Sequence, residues 1–288
     1  MSTLLATLAV TTLLPLASAA AEPPPAVVSD PPHDAAHPAG MAYVRIPSHG
    51  VLINGVIYTA SGAGPHPTMV LLHGFPGNEQ NLDLAQAVRR AGFNVLTLHY
   101  RGAWGSPGVF TFAHAAEDAD AAVAFLLDPA TLARFGVDRS RVYVAGHSMG
   151  GFMAASAAAH APQVAGLVMI SAWNMAEDGK TLSPWLREEF ADDIVPLGGA
   201  TVEGLARELA QDTPRWDFTR LARDLSGRPV LLIAADDGTG PAMHTLAETL
   251  RRAGDRNVGE IHMATDHPFS DHRIALEAAV LDWLAARH

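Results

Sequence analysis

The sequence predicts an α/β fold: a mostly parallel, doubly wound sheet of about eight strands, with a small helical cap inserted late in the chain. Three observations predict it. Runs such as Thr68–Leu72, Val164–Ile170 and Pro229–Ala234 are almost continuously apolar rather than alternating, the mark of strands buried on both faces. Helical stretches separate these runs, and strand–helix alternation builds parallel sheets covered on both sides. The interval 172–228 breaks the rhythm: it has no strand pattern, and it carries Trp173, Trp185 and Trp216 between the breakers Pro184, Pro196 and Pro214. An insertion of that size between core strands reads as a helical cap.

Each element has its own reason. Ala42–Ile46 and Val51–Tyr58 read as a two-strand meander, closed by the turn Gly62–Pro67. Thr68–Leu72 follows as a buried strand. Leu82–Ala91 is helical, with Leu82, Leu84, Ala85, Val88 and Ala91 as its apolar set. Phe93–Leu98 is a strand. Ala115–Leu127 is a helix whose early acidic residues suit the positive end of its dipole. Val142–Ala145 and Val164–Ile170 are strands flanking a helical run from Gly151. Pro229–Ala234 is a strand, Met243–Ala253 a helix, Val258–Met263 a short strand and Arg273–Ala286 a final helix.

Composition narrows the function. With 288 residues, 49% of them apolar, one large core is well supplied. A net charge of −11 disfavours nucleic acid and anionic membrane surfaces as partners. There is no cysteine, which removes disulfide scaffolds, thiolate metal sites and cysteine nucleophiles together. Residues 1–21 are apolar and end in small residues that fit a cleavage site at Ala17-Ser18-Ala19 or Ala19-Ala20-Ala21. They are expected to be a secretory signal, although no Lys or Arg precedes the apolar run, and the mature protein is expected to be secreted or periplasmic, without an integral membrane segment. Residues 22–41 read as a proline-rich linker, with His33, Asp34 and His37 as solvated tail residues rather than a metal site. The domain proper is expected over 42–288.

The chemistry centres on Gly146-His147-Ser148-Met149-Gly150, placed between a strand and a helix. That context turns Gly-x-Ser-x-Gly into a sharp turn presenting a serine at the top of a sheet. Ser148 is the candidate nucleophile, and the alternative is a serine that merely caps the next helix. A nucleophilic serine needs a base, an acid to orient it and donors for the oxyanion. The acid should follow the strand ending at Ala234, where Asp236 and Asp237 compete. Asp237 is preferred because Pro241 stands four residues on, with Asp236 the reserve. The base should lie in Thr265–Arg273. His267 is preferred over His272, because His272 sits at a helix start where the dipole disfavours an imidazolium. The oxyanion donors are the N–H groups of Met149 and of Phe75, in the bent loop His73-Gly74-Phe75-Pro76-Gly77, which His73 is expected to brace. Phe75 and Trp173 are candidate substrate contacts. Asn78–Asn81 is expected to cap the next helix. No metal and no organic cofactor is implied.

These residues, with His99-Tyr100-Arg101-Gly102-Ala103-Trp104-Gly105-Ser106 and Val137-Asp138, resemble the alpha/beta-hydrolase superfamily. The chain is most similar to the branch shared by the prolyl oligopeptidase catalytic domain and dienelactone-hydrolase-like esterases, over about residues 42–286. The resemblance implies an eight-stranded sheet and serine chemistry, but not a substrate. The family usually has Asp where this chain has His99. Three functions follow as expectations. The first is hydrolysis of carboxylic esters through an acyl-enzyme. The second is cleavage of small peptides by the same residues, for which Glu188 and Glu189 are the sole candidate anchors of a peptide amino terminus. The third is a non-catalytic binding protein on the same fold. Haloalkane and epoxide chemistry is disfavoured, because those relatives carry Asp where Ser148 stands.

Overall fold

The computed structural model describes residues 22–179 and 184–287. The expected signal segment, 1–21, lies outside the described residues, as do residues 180–183 of the expected cap. The elements run α1 (Pro25–Val28), β1 (Gly40–Ser48), β2 (Val51–Thr59), β3 (His66–Leu72), α2 (Leu82–Arg90), β4 (Asn94–Leu98), α3 (Phe112–Leu127), α4 (Pro129–Phe135), β5 (Val137–His147), α5 (Met149–His160) and β6 (Val164–Ile170). The helices α6 (Ala176–Gly179), α7 (Pro184–Asp193), α8 (Val202–Gln211) and α9 (Ala222–Leu225) follow. The chain closes with β7 (Val230–Ala234), α10 (Gly240–Arg252), β8 (Val258–His262) and α11 (Arg273–Ala285).

All eight strands join one sheet in the order β1-β2-β4-β3-β5-β6-β7-β8. The β1–β2 and β2–β4 pairs are antiparallel, and every pair from β4 to β8 is parallel. The apolar runs explain this. On β3, Val70 and Leu72 enter the core on one face while Met69 and Leu71 enter the core on the other, so the strand cannot alternate. Helix α5 is likewise covered all round: from Met149 to Ala158 every residue is buried. Its alanines and glycines let it lie close to the sheet.

The order reverses beside β3. The chain leaves β3 for β4 on one side and returns to β5 on the other, so the loops after β3 and β5 part there. A crevice opens at the carboxyl ends of the strands at such a reversal. Both loops carry residues singled out above.

Some expectations are corrected. Helix α3 starts at Phe112, not Ala115, because Thr111 caps it by accepting the His114 N–H. Its acidic residues therefore fall beyond the first turn and do not serve the dipole. Asp118 is fully buried instead, and accepts from Arg101 Nε (2.7 Å), the Arg101 N–H (2.6 Å) and Ser48 Oγ (2.5 Å). The exposed amides of α3 are satisfied from far along the chain: Glu208 of α8 accepts from Phe112 N–H (2.9 Å) and Ala113 N–H (2.6 Å). Burial raises the pKa of the Glu208 carboxyl, and those two amides work against the rise. Part of the proline-rich stretch lies against the domain, where Arg90 donates to the carbonyls of Ala26 (2.6 Å) and Val27 (3.3 Å).

Among the described residues of 172–228 there is no strand. Backbone hydrogen bonds join this interval to the loop after β4: Trp104 N–H to Pro196 O (3.0 Å), Gly198 N–H to Gly102 O (2.6 Å) and Phe110 N–H to Gly198 O (3.0 Å). No helix among the described residues is long and apolar enough to cross a membrane.

Candidate active site

Strand β5 ends at His147, and Ser148 takes φ 56°, ψ −124° before α5 begins at Met149. A non-glycine residue there is strained, and such strain gathers at functional turns. Ser148 makes no side-chain cap on α5, so the capping alternative finds no support in its geometry. The flanking glycines are needed for contact. A Cβ on Gly146 would stand 2.0 Å from Gly150 O, and one on Gly150 would stand 2.2 Å from Leu72 O. As the first residue of α5, Met149 has an N–H with no acceptor inside the helix, at the positive end of the dipole.

The loop after β3 lies directly on this turn. A Cβ on Gly74 would be 2.9 Å from Ser148 Cβ and 3.5 Å from its Oγ. The loop is braced from within: His73 Nδ1–H donates to Gly74 O (2.7 Å), Tyr100 O–H to His73 O (3.0 Å) and Trp104 Nε1–H to Pro76 O (2.9 Å). Burial holds the His73 imidazole down at about 4, which keeps it neutral. Phe75 follows Gly74 in this loop.

Asp237 and His267 are brought together. His267 Nδ1–H donates to Asp237 Oδ2 at 2.6 Å, and this leaves Nε2 for other chemistry. The Asp237 side chain is 6% exposed and that of His267 40%. Burial opposes ionisation of Asp237, but hydrogen bonds from His267, the Thr239 N–H, Ser171 and Thr239 Oγ1 outweigh it and hold the carboxyl well below the usual range. The reserves point elsewhere. Asp236 faces solvent and accepts from His262 Nε2 (2.8 Å), and His272 stands at the N-cap position of α11 without a side-chain cap, paired with its neighbour Asp271 (2.8 Å).

A carboxyl with a lowered folded pKa stabilises the fold above its unfolded value of about 3.9, and loses that contribution as pH falls through the folded value. Asp237→Asn is therefore expected to melt below wild type at neutral pH. The gap in Tm should begin to close below about pH 4, and thermal melts from pH 7 to pH 3 check it.

Two contacts had no signal in the sequence. His147 donates from Nε2 to the His267 carbonyl (2.9 Å), with the two rings 4.6 Å apart, and burial holds its imidazole down at about 3. Arg273 binds Asp83 (2.7 Å), Asn81 Oδ1 (3.0 Å) and Pro268 O (2.8 Å), so it ties the His267 loop to the start of α2. This also corrects the capping expectation. Asn81 stands at the N-cap of α2 with φ 54° but makes no side-chain cap; its side-chain Oδ1 serves Arg273 instead.

Aromatic rings line the crevice. Trp173 donates its backbone N–H to Ser148 O (3.0 Å) and its Nε1–H to Asp178 (2.7 Å). Phe112 lies 5.8 Å from the Phe75 ring and 5.7 Å from Trp173, and Phe190 lies 5.1 Å from Phe75 and 6.4 Å from Trp173. Phe112 and Phe190 are buried.

A family model described as the alpha/beta hydrolase fold matches residues 67–230. Among curated proteins, two from Mycobacterium tuberculosis, both described only as uncharacterized, are 29% identical over 150 residues. The match covers 52% of this chain, and the chain spans about half the length (52%) of those relatives. Among solved structures, the hyperthermophilic esterase of the archaeon Pyrobaculum calidifontis superposes with a TM-score of 0.67 at 22% identity, covering 88% of this chain and 87% of that one. A thermostable carboxylesterase cloned from a metagenomic library gives 0.61 at 23% identity, covering 89% and 90%. An acylaminoacyl peptidase of Pyrococcus horikoshii gives 0.65 at 17% identity, covering 86% of this chain and 41% of that one.

Proposed function

Because the chain belongs to the alpha/beta-hydrolase fold family, we propose that it is a serine hydrolase of small carboxylic esters. The observation that carries this reading is the Asp237–His267 pair at 2.6 Å, set beside the strained Ser148 turn through the His147 contact to the His267 carbonyl. In this reading Ser148 Oγ attacks the acyl carbon while His267 Nε2 takes its proton. Asp237 keeps the imidazole oriented and stabilises its charged form. The Met149 and Phe75 N–H groups hold the oxyanion. The carbonyl re-forms, the alcohol leaves with the proton from His267, and an acyl-enzyme remains. Water, deprotonated by His267, then attacks that ester, and the acid leaves as Ser148 regains its proton.

Trp173 is bonded to the Ser148 carbonyl, and its ring and that of Phe75 pack on the buried rings of Phe112 and Phe190. An acyl site bounded by this aromatic cluster would suit a short acyl group. On p-nitrophenyl esters from acetate to palmitate, kcat/KM is expected to peak at the short chains and to fall by octanoate. A panel of aminoacyl p-nitroanilides measured alongside tests the peptidase alternative. Turnover of anilides in preference to esters would replace the ester reading.

A further inference from the structure

Ser171 follows the last residue of β6 and is completely buried. Its φ is +38°, a conformation that glycine adopts at no steric cost and that a side chain strains. The backbone alone would be better served by glycine, so the hydroxyl needs a reason to be there. The Ser171 N–H donates to Ile233 O at 2.7 Å, which pins the residue to β7. Its Oγ accepts the N–H of Ala235 at 3.2 Å. Ala235 stands two residues before Asp237, so this bond ties the start of the acid's loop to the end of β6. The one proton of the hydroxyl is left to face the Asp237 carboxylate, which Ser171 helps to hold below its usual range. The same carboxylate accepts from His267 at 2.6 Å on Oδ2, and from the Thr239 N–H (3.0 Å) and Oγ1 (2.8 Å) on Oδ1.

We propose that Ser171 is a positioning residue for the acid of the triad, holding the Asp237 carboxylate in register with His267 from the end of the neighbouring strand. Thr239 is two residues from Asp237 and belongs to the same loop. Ser171 belongs to a different strand, so it references the acid to the sheet that also carries Ser148: Ser148 N–H donates to Ile170 O at 2.9 Å, one residue before Ser171. The inference rests on the serine-hydrolase reading above.

The test is Ser171→Gly in the full chain, with kcat and KM on p-nitrophenyl acetate, a thermal melt and a pH profile. Glycine removes the hydroxyl and relieves the backbone, so a role in stability and a role in positioning move apart. The expected result is a Tm near wild type, because relief of the strained φ offsets the lost bond to the Ala235 N–H, with an unchanged KM and a kcat lower by about tenfold, the effect of one hydrogen bond to a charged group. With one donor fewer, Asp237 is more basic and holds the imidazolium more firmly, so the acid limb of kcat/KM should move to higher pH. Ser171→Ala should reproduce the loss in kcat. Wild-type kcat in Ser171→Gly overturns the inference, as does a loss of activity that merely follows a fall in Tm, or one confined to KM. The control is Ser148→Ala. If that variant is inactive while Ser171→Gly is fully active, only this inference falls. If Ser148→Ala keeps turnover, the hydrolase reading fails and takes this inference with it.

Discussion

Ser148→Ala is expected to abolish ester hydrolysis, lowering kcat by about 10^4- to 10^6-fold, and to leave Tm unchanged. Both halves follow from geometry. Ser148 makes no side-chain cap on α5, so its hydroxyl can go without the penalty of about 1 kcal/mol that follows loss of a helix cap. Alanine inherits the same φ of 56°, so the strain of the turn is unchanged. What disappears is the one atom that can bond to the acyl carbon. The small residual rate would come from substrate binding and the oxyanion donors, which remain. His267→Ala should cost about as much, because a nucleophile and its base act as a unit. His272→Ala should cost almost nothing, since that ring is paired with Asp271 at the α11 cap. Steady-state kinetics and a melt on the three variants check the set. Turnover in Ser148→Ala at the wild-type rate would remove the nucleophile from the reading. A fall in Tm would restore the capping alternative.

The part of this molecule legible in its sequence is the part written in local pattern. Continuous apolar runs mark the strands buried on both faces, such as β3, β6 and β7, and the alternating β1 and β2 also stand where their pattern puts them. Helix α4 is absent from the sequence reading, although its start is a local device. Pro129 is a first-turn proline behind Asp128, whose carboxylate accepts the N–H of Ala130 (2.9 Å) and of Thr131 (3.3 Å). The start of α3 was misplaced because half of its N-terminal solution comes from Glu208, 95 residues away from Ala113. The site divides in the same way. A Gly-x-Ser-x-Gly turn is a local device, and so is the loop order that narrows the acid and base to two neighbours each. Choosing between Asp236 and Asp237 takes the third dimension: one faces His262 in solvent, the other His267 in the crevice. Ser171, His147 and Arg273 act across strands or loops and leave no mark in any window of sequence.

Gly150→Ala is expected to prevent folding, at a cost above about 4 kcal/mol, although it adds a single methyl group. In sequence, a glycine at a sharp turn suggests a need for positive φ. Here the positive φ belongs to Ser148, and Gly150 does not share it. The constraint on Gly150 is contact. An added Cβ would lie 2.2 Å from Leu72 O and 2.6 Å from His73 O. Both are backbone atoms, so no side chain can rotate away. Leu72 is fixed in the sheet opposite Gly146, and Gly146 is itself held against Gly150, where its own Cβ would meet Gly150 O at 2.0 Å. The methyl group can be housed only by driving α5 away from β3, which opens the core around the buried face of α5 and carries Met149 away from the crevice. Gly259→Ala is the matched control. Gly259 lies on the terminal strand β8, and the nearest atom to its added Cβ is Leu231 Cδ1 at 3.2 Å, the free end of a flexible side chain. That change should be close to neutral, because alanine costs less conformational entropy than glycine in a strand. Soluble expression and urea denaturation of the two variants separate them. A folded Gly150→Ala with wild-type stability would mean that the tight seating of α5 on β3, on which the placement of Ser148 and the Met149 N–H depends, is wrong.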